Sequence, residues 1–254
     1  MLGQQRLGAR LAAVLALAAV ATAAAAKADY AREKKWADEI TPGIVVGDPV
    51  YLTDSAGHRF FAIHTRAQKP KGAVITVHGI GVHPDWGLIN VLRSSLPDAG
   101  YTTLSVQMPI LGADARPEAY DPTFPEAAER LSAAVAFLRK EGHERVAIVS
   151  HSLGSIMTNY YLVNHSAAQV DAWATLGLPR KIVEPQNLKA TVLDLYGEND
   201  SEGVLKFADQ RAKAVKRIPG SAQVVIPGAD HFFAGQEQAM LDAVKQFLDR
   251  VLKK

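Results

Sequence analysis

Arg145-Val146-Ala147-Ile148-Val149-Ser150-His151-Ser152-Leu153-Gly154-Ser155 is an apolar run that gives way abruptly to small and polar residues. The aliphatic first half reads as a buried strand, and the residues after Ser152 read as the start of a helix. A strand that turns at once into a helix, with a serine at the apex, is the pattern of a nucleophile elbow. Small residues two before and two after the serine let the two elements approach while the hydroxyl stays accessible. Ser152 is therefore a candidate nucleophile. The pattern departs from Gly-x-Ser-x-Gly at Ser150, which adds a Cβ and a hydroxyl where strand and helix come closest.

Working outward, the same grammar recurs along the chain. Ile44 to Leu52 and Arg59 to His64 read as strands separated by the turn signal Asp54-Ser55-Ala56-Gly57, an antiparallel hairpin at a sheet edge. Further strands are expected at 73–78, 102–107, 146–150, 170–176, 191–196 and 223–226. Helices are expected at 86–98, 125–140, 153–165, 204–217 and 236–252. Strands rich in Val and Ile without a polar face are buried on both sides. Their alternation with helices predicts an α/β fold with a mostly parallel, doubly wound sheet. Ligands of such sheets bind beyond the carboxyl ends of the strands. Polar residues gather at those ends: His78-Gly79-Ile80-Gly81, Ser152, Gly197-Glu198-Asn199-Asp200 and Gly228-Ala229-Asp230-His231.

The 254 residues accommodate one large domain over 44–254, preceded by a charged lead-in at 29–43, mobile or helical from Asp29 to Asp38. Residues 1–28 read as a secretory signal peptide. Arg6 and Arg10 precede an Ala/Leu/Val run from Leu11 to Ala26, and Ala26-Lys27-Ala28 offers small residues for cleavage. An uncleaved membrane anchor is the other reading of that run, and no second span follows it. The formal charge of +2 gives no argument for a polyanionic partner. Without Arg6, Arg10 and Lys27, about 25 basic side chains face 26 acidic ones, so nucleic acid is not expected. With no cysteine, disulfides, thiolate metal sites and a lipidated cysteine are all excluded. A periplasmic or secreted location is expected, with no stable membrane insertion after cleavage.

A serine hydroxyl needs a base to attack an ester at neutral pH, and an imidazole backed by a carboxylate meets that need. The chain order Ser152, Asp200, His231 places these groups at three strand ends. His231 lies between the last strand and the last helix. Asp194, inside its strand, and Glu198 stay open as alternatives to Asp200, and Asp230 reads as a turn former. His151 is adjacent to the nucleophile in sequence, so its side chain points elsewhere. Two amides must receive the oxyanion. The backbone N–H of Leu153 at the helix start is one, and that of Ile80 in the His-Gly-x-Gly loop is the other. No cofactor is needed. His78 and His83 form only a weak metal-ligand pair, so no metal is expected.

These motifs resemble the α/β-hydrolase superfamily over about 44–254. More narrowly, His78-Gly79-Ile80-Gly81-Val82-His83-Pro84-Asp85-Trp86, Leu92-Arg93, Thr103 to Pro109 and Ser150 to Gly154 are similar to a bacterial family of exported hydrolase-like proteins of unassigned function. The superfamily resemblance implies the α/β-hydrolase fold, a triad at Ser152, Asp200 and His231, and oxyanion amides at Ile80 and Leu153. Only 177–189 separates two strands where many such proteins insert a cap domain, so no cap and an open site are expected. The irregular stretch Met108 to Thr123 either crosses the sheet top or, with Trp86, lines a substrate pocket. Met108, Ile110, Leu111 and Phe232 are the apolar candidates there. The expected activity is that of a serine hydrolase on a small-molecule carboxylic ester. The rival is a non-catalytic exported binding protein that keeps the fold.

Overall fold

The computed structural model describes residues 28–165 and 170–252. In chain order the elements are α1 (Tyr30–Ile40), β1 (Asp48–Thr53), β2 (Arg59–Thr65), β3 (Gly72–Val77), α2 (Gly87–Ser95), β4 (Tyr101–Val106), α3 (Phe124–Lys140), β5 (Val146–His151), α4 (Leu153–Asn164), β6 (Ala172–Leu176), β7 (Thr191–Gly197), α5 (Glu202–Leu205), α6 (Ala208–Val215), β8 (Ala222–Ile226) and α7 (Glu237–Leu252). The strands form one sheet in the order β1-β2-β4-β3-β5-β6-β7-β8. β1 and β2 pair antiparallel, β2 runs antiparallel to β4, and every other pairing is parallel. The expected signal peptide lies, Ala28 apart, outside the described residues. Among those residues no helix is long and apolar enough to cross a membrane.

Burial explains the layering. β3, β4 and β5 are buried at every position because helices cover both faces. Ile75, Ile148 and Trp173 pack on the side of α3, α4 and α6, whereas Val74, Val149 and Ala174 pack on the side of α2 and α7. Alternate residues of one strand thus feed two cores. β5 sits near the middle of the sheet, so the chain leaving its carboxyl end emerges at the centre of one face of the molecule.

Three boundaries differ from the sequence expectation. The first strand begins at Asp48 rather than Ile44, since Gly47 breaks the run at φ 85° where a Cβ would collide with Thr65. Val45 is left 93% exposed. The single helix expected over 204–217 is two, α5 and α6. Arg211 folds inward and donates to the Val204 carbonyl at 2.9 Å, occupying the acceptor that a continuous helix would use. The charged lead-in is helix α1, packed through Ala37 against Phe61 and Ile63 of β2 and tied to α3 by the buried Glu33–Arg130 pair.

Candidate active site

The turn from β5 into α4 puts Ser152 at φ 53° and ψ −121°, a left-handed conformation that L-residues avoid. Holding a non-glycine residue there costs about 1–3 kcal/mol, and the surroundings enforce it. The Ser152 amide donates to the Leu176 carbonyl at 2.9 Å, and the Ser155 amide donates to the Ser152 carbonyl at 2.9 Å. Gly154 lies against the His78 backbone so closely that any Cβ would collide with the His78 carbonyl. Ser150, by contrast, is accommodated. Its hydroxyl accepts from Trp173 Nε1 at 2.8 Å and donates to Ser155 Oγ at 3.1 Å. The departure from glycine is thus a hydrogen-bonded link between β5, β6 and α4.

The structure brings Ser152, His231 and Asp200 together. Ser152 Oγ lies 2.9 Å from His231 Nε2, and His231 Nδ1 lies 2.6 Å from Asp200 Oδ1. Asp200 Oδ1 also accepts from the Ser201 amide at 2.7 Å, and Oδ2 from the Gly197 amide at 3.3 Å. Burial alone would raise the Asp200 carboxyl. Its bond to His231, the His231 charge and these two amides together hold it below the ordinary carboxylate range. The His231 loop is itself fixed, because Asp230 Oδ1 accepts from the amides of Phe232 and Ala234, and the buried Phe233 sits at φ 57°.

The other candidate acids are engaged elsewhere. Both Asp194 oxygens accept from Arg211 Nε, at 2.8 and 2.9 Å, and Gln223 donates to Oδ2 at 2.8 Å, all on the helix side of β7. Glu198 accepts from the Gly228 amide at 2.8 Å and joins two turns.

Two histidines have tasks that the sequence did not disclose. His151 is buried and donates from Nε2 to the His231 carbonyl at 2.9 Å, supporting the loop that carries His231. Burial, reinforced by the neighbouring His231, pushes it down to about 4, so it is neutral. His78 donates from Nδ1 to the Gly79 carbonyl at 2.8 Å, while its Nε2 accepts from the Met108 amide at 2.9 Å and from Gln107 Nε2 at 3.1 Å. Burial pushes His78 down to about 3, consistent with that single tautomer. In a trans peptide the carbonyl and the next N–H point in opposite directions. Drawing the Gly79 carbonyl inward therefore turns the Ile80 N–H outward from the buried side of the loop. Gly79 lies against Ser152, where an added Cβ would be 3.2 Å from the serine Cβ. Leu153 opens α4, where the first amides have no acceptor within the helix.

The apolar candidates divide. Phe232 is 48% exposed, with its ring 5.2 Å from that of His231 and 5.4 Å from that of Trp86, so Phe232 and Trp86 form a shelf beside His231. Met108, Ile110 and Leu111 are instead packed inside, at 1%, 1% and 8% exposure, and their expected role as pocket lining is corrected. The cause is the pinning of their backbone. Ile110 N donates to Glu33 at 3.3 Å, Leu111 N to the Tyr120 hydroxyl at 3.0 Å, and Arg32 to the Leu111 carbonyl at 2.7 Å.

The overall fold described above is matched by solved structures. Est1E from Butyrivibrio proteoclasticus superposes with a TM-score of 0.65 at 16% identity, covering 82% of this chain and all of that one, 100%. A dienelactone hydrolase from Anabaena variabilis gives 0.64 at 19% identity, with 81% and 99% covered. The chain has the α/β-hydrolase fold. An esterase of Pyrococcus furiosus with the same fold gives 0.66 at 15% identity, with 81% and 93% covered. Est1E has also been solved with ferulic acid bound. In sequence, a family model described as "Protein of unknown function (DUF3530)" matches residues 9–128. That span includes the His78 loop of the hydrolase fold and ends before Ser152. A comparison with curated proteins gives no match.

Proposed function

We propose that this chain is an exported serine hydrolase that cleaves small-molecule carboxylic esters through an acyl-enzyme. One observation carries the reading: the hydrogen-bonded line from Ser152 Oγ through both nitrogens of His231 to Asp200, on a serine held in a strained turn. His231 Nε2 takes the hydroxyl proton as Oγ attacks the ester carbonyl. The amides of Leu153 and Ile80 receive the charge that develops on the carbonyl oxygen. His231 then gives its proton to the departing alcohol, leaving the acyl group on Ser152. Water, deprotonated by the same imidazole, releases the acid. Asp200 holds the tautomer and stabilises the imidazolium.

The esterase names of the structural neighbours, and the ferulic acid bound to one of them, support ester substrates. Export rests on the basic, alanine-rich leader and predicts a mature N-terminus near Asp29.

A fluorophosphonate probe tests the chemistry. Wild type should carry one adduct, on Ser152, and Ser152→Ala should carry none and lose p-nitrophenyl acetate turnover. A folded wild type that takes no label would overturn the enzyme reading in favour of a binding protein.

A further inference from the structure

Parallel strands are ordinarily joined by a crossover helix. Between β6 and β7 this chain has no such helix, and the connection holds only a short 3-10 turn at Pro185–Asn187. One flank of α4 is therefore left without a helical neighbour. A cavity of about 250 Å³ lies there, floored by Ile156, Tyr160 and Val163 of α4 and walled by Phe124 on one side and by Leu178 and Val183 on the other. The outer wall is fixed in place. Asn159, itself 4% exposed, accepts from the Val183 amide at 2.7 Å and donates to its carbonyl at 3.3 Å, and Arg211 holds the Leu178 carbonyl at 2.9 Å. Val183 is nonetheless 46% exposed, an apolar side chain kept on display by a rigid loop.

Both sides of this groove belong to segments that begin beside the triad. Its floor is the helix whose N-cap is Ser152. Its outer wall follows directly from Gly177, where an added Cβ would lie 3.0 Å from the His231 ring and 3.2 Å from Asp200. Side chains on a helix lean toward its N-terminus, so Ile156 and Tyr160 tilt toward the nucleophile. At 1.5 Å per residue they stand about 6 and about 12 Å along the axis from Ser152. The Arg180–Asp121 ion pair, 3.1 Å and exposed, joins the outer wall to the segment leading into α3. An exposed pair of this kind is worth little and opens readily.

We infer that this α4 groove is the acyl-chain subsite, and that the substrates are esters of medium-length, unbranched apolar acids whose carbonyl sits at Ser152 while the chain lies along Ile156 and Tyr160. The inference rests on the serine-hydrolase reading above. Ile156, Tyr160, Val163, Phe124, Leu178 and Val183 give the chain an apolar or aromatic track, and the remaining lining is polar, with Arg180, Lys181 and Glu184 on the outer loop. Each methylene seated there should raise kcat/KM about fourfold until the groove is filled.

The test is a series of p-nitrophenyl esters from acetate through hexanoate and octanoate to decanoate. Wild type should gain with chain length, and Ile156→Trp, which fills the near end, should lower the octanoate-to-acetate ratio of kcat/KM at least tenfold. Val163→Trp, at the far end, should cut the decanoate rate while leaving the hexanoate-to-acetate ratio near that of wild type. An octanoate preference untouched by Ile156→Trp, or no gain with chain length in a wild type that labels with fluorophosphonate, overturns the groove and spares the hydrolase reading. Calorimetry of decanoate binding to Ser152→Ala separates the two ideas further. Binding that disappears in the Ser152→Ala, Ile156→Trp double variant supports the groove even if wild type takes no label, and no binding to Ser152→Ala counts against it.

Discussion

Asp194 and Asp200 are six residues apart on one strand and its turn, and their surroundings give them opposite work. Asp200 touches His231, so Asp200→Asn should lower kcat about 10³ to 10⁴-fold, by misplacing the tautomer, with little effect on the urea midpoint. Asp194 touches only Arg211 and Gln223, and Asp194→Asn should cost about 3–5 kcal/mol by leaving Arg211 with an uncompensated buried charge. Urea unfolding together with ester turnover separates the two outcomes. Ser150 offers a third case. Ser150→Ala removes the acceptor of the buried Trp173 Nε1 and should cost about 1–3 kcal/mol in urea unfolding without changing the fluorophosphonate labelling rate. At this scale the convergence of Ser152, Asp200 and His231 was legible because each lies in the turn or loop that follows a strand. Ser150, His151 and His78 were not, because their partners Trp173, the His231 carbonyl and the Gly79 carbonyl belong to contacts that no local spacing encodes.

Elements were read best where burial is two-sided. β3 and β5 announce themselves through aliphatic runs, and the observed bounds of β3 to β7 fall within two residues of expectation. α1 was harder. Lys34, Lys35, Asp38 and Glu39 dominate its sequence, while its anchor is Glu33, a charge that ordinarily marks a solvated face. Glu33 is 5% exposed and meets Arg130 at 3.0 Å; Arg130 in turn donates to the Gln107 carbonyl at 2.9 Å, beside the contacts that orient His78. The helix therefore braces the loop that presents Ile80. Glu33→Ala should cost about 1–3 kcal/mol, because Arg130 loses one buried partner and keeps the Glu126 carboxylate. It should also lower kcat for p-nitrophenyl acetate more than it raises KM. A KM effect alone would place α1 outside the proposed oxyanion site. The same brace explains why Met108, Ile110 and Leu111, read as pocket lining, lie in the interior.

For the molecule as a whole, the number of protons refused by the folded state sets the acid limit. His78 titrates near 6.5 in the unfolded chain and is pushed down to about 3 by burial when folded. A lowered histidine value means that the unfolded chain binds the extra proton. Its contribution is complete above pH 6.5 and drains away as pH falls toward 3. Glu33, pushed up to about 7 by burial, and the raised Asp194 act in the opposite sense, so the clean readout is a difference between variants. Between pH 6 and 4 the stability gap between wild type and His78→Gln should narrow by about 1.4 kcal/mol per pH unit, measured by urea unfolding. A gap that stays constant would mean that His78 is protonated in the fold.

The strand order β1-β2-β4-β3-β5-β6-β7-β8 also fixes when Ser152 meets its partners. His231 lies in the connection between β8 and α7, and β8 joins the sheet only at its far edge, beside β7. A nascent chain leaving the ribosome can build the serine turn long before the imidazole exists to face it. The Ser152–His231 contact cannot close until that last strand and its following loop have been added, so prematurely terminated chains are left with an inert serine.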